Sequence, residues 1–291
     1  MRYLVTGVKG QLGFDIVREL NKRNITDIIA IDKEELDLTD GTKVEAFVLE
    51  QKPDVIFHSA AWTNVDKAEE EESLVFDINV KATSYLVDAA EKLGAKIFYI
   101  STDYVFDGTK DGLYDTDDAV NPLSVYGRTK FLGEQEVRQY KNHFIVRTSW
   151  VFGINGGNFV RTMLKLAETK TELNIVSDQL GSPTYTPDLA KLLVDMSMTE
   201  EYGTYHATND GVCSWAEFAE YIFKSNQKNV TVNAISSSEY PTKAKRPLNS
   251  KLSKKSLIEH NFKLLPSWKD AVERYNEELS QEKKEIGVET K

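Results

Sequence analysis

The first half of the chain alternates short runs that are apolar at every position with longer stretches whose apolar residues fall on one helical face. Tyr3-Leu4-Val5, Ile28-Ile29-Ala30-Ile31, Val55-Ile56-Phe57, Ile97-Phe98-Tyr99-Ile100 and Phe144-Ile145-Val146 are the uniform runs. Between them, Leu12, Ile16, Val17 and Leu20 mark one amphipathic helix. Val44, Phe47 and Val48 mark a second, which Pro53-Asp54 breaks, and Leu86, Val87, Ala90 and Leu93 mark a third. A strand with no polar alternation has both faces buried. The order therefore predicts an α/β fold, a doubly wound parallel sheet covered on both faces by helices. Such sheets bind ligands outside the carboxyl ends of their strands. The glycines at 7, 10 and 13, Ser59-Ala60-Ala61, Ser101-Thr102 and Thr148-Ser149-Trp150 each follow a run directly, so they are expected on one rim.

After about Trp150 the pattern changes. Phe159, Met163 and Leu166 mark a helix and Leu173-Asn174-Ile175-Val176 a strand, followed by a polar, turn-rich stretch at 178–184. Thr186 is expected to cap a helix with Pro187 at its first position. Ser214-Trp215-Ala216-Glu217 fits a capping box. Trp268, Val272, Tyr275 and Leu279 give a last apolar stripe, and the charged end from about Ser280 is expected to fray. This divides the chain into residues 1–150 and a smaller α/β unit over 151–291, with part of about 186–210 crossing back to the first.

Composition narrows the class. The 291 residues are enough for a large core, and 41% hydrophobic with 28% charged residues is ordinary for a globular chain. The net charge of −10, without a basic block, argues against a nucleic-acid partner. Cys213 is the single cysteine, so neither an internal disulfide nor a thiolate metal cluster is available. His58, His143, His206 and His260 show no ligand spacing. The first strand begins almost at once and no run reaches membrane-spanning length, so the expectation is no signal peptide, no membrane and a cytoplasmic location.

Gly7, Gly10 and Gly13 lie between a predicted strand and helix. Glycine tolerates the tight turn and leaves room for a pyrophosphate, and the helix start offers N–H groups and a positive dipole end. This is the arrangement of a Rossmann-type dinucleotide site. Asp32 ends the second run, where a carboxylate bonds a ribose 2′-hydroxyl and favours NAD; Lys33 beside it would attract the 2′-phosphate of NADP. The same glycines would also serve a turn that only needs small residues.

Asn121-Pro122 ends a loop, and a helix is expected from near Ser124. On it Tyr126 and Lys130 are i and i+4 and share a face. An ammonium beside a phenol lowers its pKa and suits it to proton transfer near neutrality. Thr102, at a strand end, would polarise a carbonyl together with Tyr126. By itself this spacing also occurs on ordinary helix surfaces, and Ser101-Thr102 alone is also a cap. Their order after a dinucleotide turn points to hydride-transfer chemistry.

Thr6-Gly7-x-x-Gly10-x-x-Gly13 followed by Tyr126-x-x-x-Lys130 resembles the extended short-chain dehydrogenase/reductases. Several further stretches are similar to the dTDP-4-dehydrorhamnose reductase family within them: residues 101–108, Asp66-Lys67-Ala68-Glu69, Arg147-Thr148-Ser149-Trp150, Asp178-Gln179-x-Gly181-x-Pro183-Thr184 and Arg246-Pro247-x-Asn249-Ser250. The resemblance runs from about Arg2 to Leu279. It implies a Rossmann-type sheet with a smaller C-terminal substrate-binding α/β domain, NADPH or NADH as cofactor, and a dTDP-sugar as substrate. It implies that Gly10, Gln11 and Leu12 contact the pyrophosphate region, that Asp32, Asp37 and Leu38 border the adenosine, and that Ala61, Trp62 and Thr63 line the nicotinamide. Tyr126 is then the proton donor, Lys130 its partner and a ribose ligand, and Thr102, Asp103 and Trp150 face the deoxysugar. Residues 179–184 and 246–250 would cover the nucleotide, with Arg246 on its diphosphate. Asn79 is either an orienter of Lys130 or a polar cap. Some relatives form magnesium-linked homodimers, for which Glu273, Glu277, Glu278 and Glu282 offer carboxylates. The expected state is monomer or homodimer, with a solvated Glu face the plainer reading of that helix. An epimerase or reductase of another nucleotide sugar would share the first half. A non-catalytic regulatory subunit of the methionine adenosyltransferase type would share the fold but not need Thr102, Tyr126 and Lys130.

Overall fold

Residues 1–285 are described in the computed structural model of the protein. Strand β1 (Tyr3–Thr6) leads into helix α1 (Gln11–Lys22), and β2 (Ile28–Ile31), α2 (Gly41–Gln51) and β3 (Val55–His58) follow. Two short helices, α3 (Val65–Ala68) and α4 (Glu72–Phe76), pass through a wider π-helical turn, Asp77–Lys81, into α5 (Ala82–Leu93). Then come β4 (Lys96–Thr102), α6 (Val125–Arg138) and β5 (His143–Thr148). The remainder carries β6 (Val151–Phe152), α7 (Phe159–Leu166), β7 (Glu172–Val176), β8 (Leu180–Gly181), β9 (Thr184–Tyr185), α8 (Thr186–Ser197) and β10 (Gly203–His206). It ends with β11 (Cys213–Ser214), α9 (Trp215–Ser225), β12 (Thr231–Ile235), α10 (Lys255–Glu259) and α11 (Trp268–Glu285).

Six parallel strands form the main sheet in the order β10-β5-β4-β3-β1-β2. The chain goes from β1 to β2 on one side, then crosses to β3 on the other, so the strand order reverses beside β1. That reversal opens a crevice at the carboxyl ends. The apolar runs follow from the sheet's two covered faces. Tyr3 and Val5 join Phe57, Phe98 and Phe144 against α1 and α8, in a core with Ile16, Leu20, Leu189 and Leu193. Leu4 points the other way, with Ile56, Ile97 and Ile145, against Val44 and Val48 of α2 and Leu86 of α5. Each such side chain contributes roughly 1.5–3 kcal/mol on burial, so both faces hold the sheet.

A third core belongs to the second unit. Phe152, Val160, Met163, Phe218, Ile222, Trp268, Val272 and Tyr275 meet there, bringing α7, α9 and α11 together. β7 pairs in parallel with β12, and β8 pairs antiparallel with β11. The Ser214 capping box is present, with both reciprocal bonds to Glu217.

Two local expectations are corrected. Helix α8 begins at Thr186 with Tyr185 as its N-cap residue. The Thr186 hydroxyl does not cap it, because it donates instead to the buried Asp15 carboxylate of α1. Helix α11 does not fray at Ser280 but continues to Glu285, where Arg161 of α7 pairs with Glu282 at 2.7 Å. Residues 286–291, the rest of that charged tail, lie outside the described residues.

Beneath the rim lies a buried ion pair. Arg147 on β5 donates from Nε to Glu134 Oε1 at 2.8 Å and from Nη2 to Oε2 at 2.7 Å. Their side chains are 1% and 0% exposed. Ser101 on β4 donates to the same carboxylate at 2.6 Å, and Arg147 Nη1 donates to Thr116 O at 3.2 Å. Every oxygen and most N–H groups of the pair are thus satisfied, as a buried pair requires. Glu134→Gln would leave a buried guanidinium without its counter-charge. The expected loss is about 3–5 kcal/mol of unfolding free energy, read from urea denaturation; a loss below about 1 kcal/mol, the range of exposed pairs, would show that the pair holds nothing together.

Candidate active site

Helix α1 starts at Gly10 with no side-chain cap, whereas α2, α6 and α7 are capped by Asp40, Ser124 and Asn158. Its first N–H groups are therefore left for an anion. Gly7 sits at φ +70°, and a Cβ there would come within 2.8 Å of Ala60 after β3. A Cβ on Gly13 would lie 2.3 Å from Gly7 O. The cradle excludes side chains for geometric reasons, and it fits a pyrophosphate. Gln11 and Leu12 offer only backbone to it. The Gln11 side chain accepts from Gly153 N at 2.9 Å and Asn158 Nδ2 at 3.1 Å, and Leu12 is buried in the core. Asn155 Nδ2 donates to Lys9 O at 2.8 Å, so residues after β6 fasten onto the turn.

Asp32 follows β2 and borders the same turn. Its carboxylate accepts from Lys9 N at 2.9 Å and Lys33 N at 2.8 Å. The Lys9 ammonium pairs with Glu34 at 2.8 Å. Asp37 is exposed and caps Thr39, whose backbone and hydroxyl bonds hold its carboxyl below the ordinary range. Leu38 is half-buried against the α2 side of the core. On the opposite side of the turn, Ala61 and Trp62 are half-buried and Thr63 is exposed. Asn79, in the π-helical turn, is almost fully buried. It accepts from Trp62 N at 2.8 Å, donates back to Trp62 O at 3.3 Å and donates to Thr129 Oγ1 at 3.1 Å. It therefore clamps the backbone of residue 62 to the helix that carries Tyr126, a role neither of the two expectations for it contained.

Ser124 caps α6 through Gly127 N at 3.1 Å, which places Tyr126 and Lys130 in its first two turns. Tyr126 and Trp62 pack on one small apolar cluster, Ala68, Val75 and Val125. Burial pushes the Tyr126 phenol well above its ordinary value; the Thr102 hydroxyl opposes the shift, while Asp103 and Tyr104 add to it. This corrects the expectation that Lys130 lowers it. The Lys130 ammonium lies 3.9 Å from the centroid of the Tyr99 ring, and burial holds its pKa down to about 7 against the pull of Glu134. A weakly charged amine facing another ring exerts little hold on the phenol. A neutral, protonated phenol is the state a proton donor needs.

Thr102 ends β4 and donates to Asp103 Oδ1 at 3.0 Å. Asp103 is buried; burial raises its pKa to about 6, with Ser250 and Thr102 opposing. Its Oδ2 has no hydrogen-bond partner among the described residues. Arg246 is not a free cation. It pairs with Asp66 at 2.7 Å and donates to the Tyr104 hydroxyl at 3.1 Å. Tyr104 in turn lies edge-on to Tyr126, with ring centroids 5.6 Å apart. Trp150 is half-buried beyond β5. The sequence brought out neither Tyr104 nor Glu134 as site-building residues; both stand inside or beside recognised motifs, and only their distant partners reveal them.

The C-terminal carboxylates are engaged elsewhere. Glu278 takes Arg18 at 2.5 Å and the Tyr185 hydroxyl, Glu282 takes Arg161, and Glu273 accepts from Tyr221 at 2.9 Å. Glu277 is exposed. No group of three or more His, Cys, Asp or Glu among the described residues could hold a metal ion. No helix among them is long and apolar enough to cross a membrane.

The chain is similar to several known proteins. The family described as RmlD substrate binding domain matches residues 1–281. A dTDP-4-dehydrorhamnose reductase from Aggregatibacter actinomycetemcomitans is 41% identical, over 93% of this chain and 97% of that protein. The spore coat polysaccharide biosynthesis protein SpsK of Bacillus subtilis is 40% identical, over 96% of this chain and 98% of its own. The crystal structure of dTDP-4-dehydrorhamnose reductase from Bacillus anthracis in complex with NADP superposes with a TM-score of 0.93 at 41% identity, covering 95% of this chain and 99% of that one.

Lys130 titrates near pH 7 when folded and near its ordinary 10.5 when unfolded. The unfolded chain then binds the extra proton between these values, so stability rises with pH across that window. The wild type is expected to gain stability relative to Lys130→Met from pH 7 to 10.5 and to show a constant difference below pH 7. Urea midpoints of the two proteins across this range are the measurement; a pH-independent difference would mean that the amine keeps its ordinary charge.

Proposed function

The chain belongs to the RmlD substrate-binding-domain family, that of the dTDP-4-dehydrorhamnose reductases, and from that premise we propose that it reduces the 4-keto group of dTDP-4-dehydro-β-L-rhamnose to give dTDP-β-L-rhamnose. When bound, a reduced nicotinamide, NADPH or NADH, supplies the hydride to C4. The turn at Gly7, Gly10 and Gly13 would receive its pyrophosphate through the N–H groups of Gln11 and Leu12. Asp32, Asp37 and Leu38 would border the adenosine, and Ala61, Trp62 and Thr63 the nicotinamide.

The chain's own residues handle the oxygen. Thr102, turning its hydroxyl away from Asp103, donates a hydrogen bond to the carbonyl and draws electron density from C4. Tyr126 passes its phenolic proton to the oxygen as the alkoxide develops. Lys130 would accompany the phenol and hold a ribose hydroxyl. Asp103 and Trp150 border the sugar, and Arg246 carries the diphosphate once it is shared between Asp66 and the ligand. Residues 151–291, apart from about 186–210, would form the substrate side. A product of this kind feeds polysaccharide synthesis, and the enzyme would act in the cytoplasm.

The pairing of the Thr102 and Tyr126 hydroxyls, in a fold that also carries a side-chain-free cradle after β1, is the observation that supports this reading. An epimerase or a regulatory subunit is not favoured. Relatives similar over nearly the whole chain bear the reductase name, and the Thr, Tyr and Lys that a regulatory module would not need are all present.

The test is incubation with in situ generated dTDP-4-keto-6-deoxyglucose, a 3,5-epimerase and each reduced nicotinamide, with product and coenzyme consumption followed together. Stoichiometric oxidation of the coenzyme is expected; conversion of sugar without it, beyond that of the same mixture lacking this protein, would mean epimerisation. Tyr126→Phe should retain coenzyme affinity and lose ~10²–10⁴-fold in turnover, the usual contribution of a positioned acid. Near-normal turnover in that variant would remove Tyr126 as the donor.

A further inference from the structure

We propose that Trp215 is a positioning residue, holding the indole of Trp150 as a wall on the sugar side of the active site. The identity of the ligand rests on the reductase reading above; the placement rests on the fold. Thr148 on β5 is in register with Thr102 on β4. Trp150, two residues further on, therefore leaves the sheet rim one strand away from the hydroxyl that faces the carbonyl.

Trp150 is held there against its own backbone preference. Its φ is +49°, in the left-handed region that bulky side chains avoid. Thr184 N donates to its carbonyl at 3.1 Å, which fixes the main chain. The indole of Trp215 stacks on it with centroids 3.6 Å apart and planes at 11°. Gly181 lies against its Cε2 atom, where a Cβ would meet the indole at 2.8 Å. A ring held by Trp215 and Gly181 and still half-buried has a defined remaining surface, and an indole surface suits the C–H groups of a deoxysugar.

Trp215 is itself fixed. It is the first residue of α9, directly after the Ser214 capping box. Its ring rests on Phe159 of α7, with centroids 4.7 Å apart, and near Phe218 at 6.2 Å. The stack thus transmits the position of the second unit's aromatic core to a residue on the rim of the main sheet. Nothing in the sequence pattern singles Trp215 out, since it reads as the first position of a capped helix.

The test compares Trp215→Ala, Trp215→Phe and Gly181→Ala with the wild type. Two indoles stacked this closely give an exciton couplet in the far-ultraviolet circular dichroism, which reports the stack independently of activity. Trp215→Ala should abolish the couplet and raise KM for the sugar nucleotide about tenfold, the upper range for one aromatic contact, with kcat and coenzyme Kd unchanged within about twofold. Trp215→Phe should also lose the couplet, yet keep KM within about twofold, because a flat ring still backs Trp150. Should Trp215→Ala fail to fold, Gly181→Ala displaces the same indole by a second contact without disturbing the aromatic core, and the same rise in KM is expected. A folded Trp215→Ala or Gly181→Ala protein with an altered couplet and a wild-type KM would overturn the proposal while leaving the reductase reading intact. A wild type that neither binds nor reduces the 4-keto sugar nucleotide would overturn both.

Discussion

The catalytic geometry depends on one buried carboxylate. Glu134 lies on α6, four residues beyond Lys130 and eight beyond Tyr126, so all three share a helix face. It takes the Arg147 guanidinium from β5 and the Ser101 hydroxyl from β4, directly before Thr102. One side chain therefore ties together the helix that carries the phenol and amine and the strand that ends in the threonine. Burial alone would push Glu134 toward its neutral form, but Arg147 and Ser101 hold its pKa below the ordinary value. The carboxylate stays charged, and its charge opposes the burial that would otherwise neutralise Lys130 still further.

Around that anchor the site forms by exclusion as much as by attraction. Gly7 and Gly13 are required because the turn after β1 and the segment after β3 pass too close for a side chain. The same closeness leaves the start of α1 open to an anion. Asn79 then fastens the Trp62 backbone to α6, so the positions of residue 62 and Tyr126 are set by the same helix. Arg246, bound to Asp66 and Tyr104, connects the loop from the second unit to the ring that flanks Tyr126.

Much of the fold was legible in the residues. Five apolar runs became five sheet strands, four of them buried on both faces and β2 a partly exposed edge, and the Ser214 box formed as its four residues dictate. The sixth strand, β10, is less plain. Gly203–His206 is too mixed to stand out, and it joins the sheet only because β5 offers it a free edge. Thr186 misled for a related reason: its local signal is that of a cap, but a carboxylate 171 positions earlier in the chain takes its hydroxyl.

What the sequence determined by itself is what depends on neighbours within a turn or a strand: which segments are sheet or helix, where glycine must stand, and that Tyr126 and Lys130 share a face. Period and steric demand are local properties, and they can be read residue by residue. Only the tertiary structure decided the partners and the charges. Arg147 with Glu134, Trp150 with Trp215 and Arg246 with Asp66 are contacts between distant segments. The phenol of Tyr126 is raised and the amine of Lys130 lowered because desolvation depends on everything packed around a group, and no spacing along the chain encodes that.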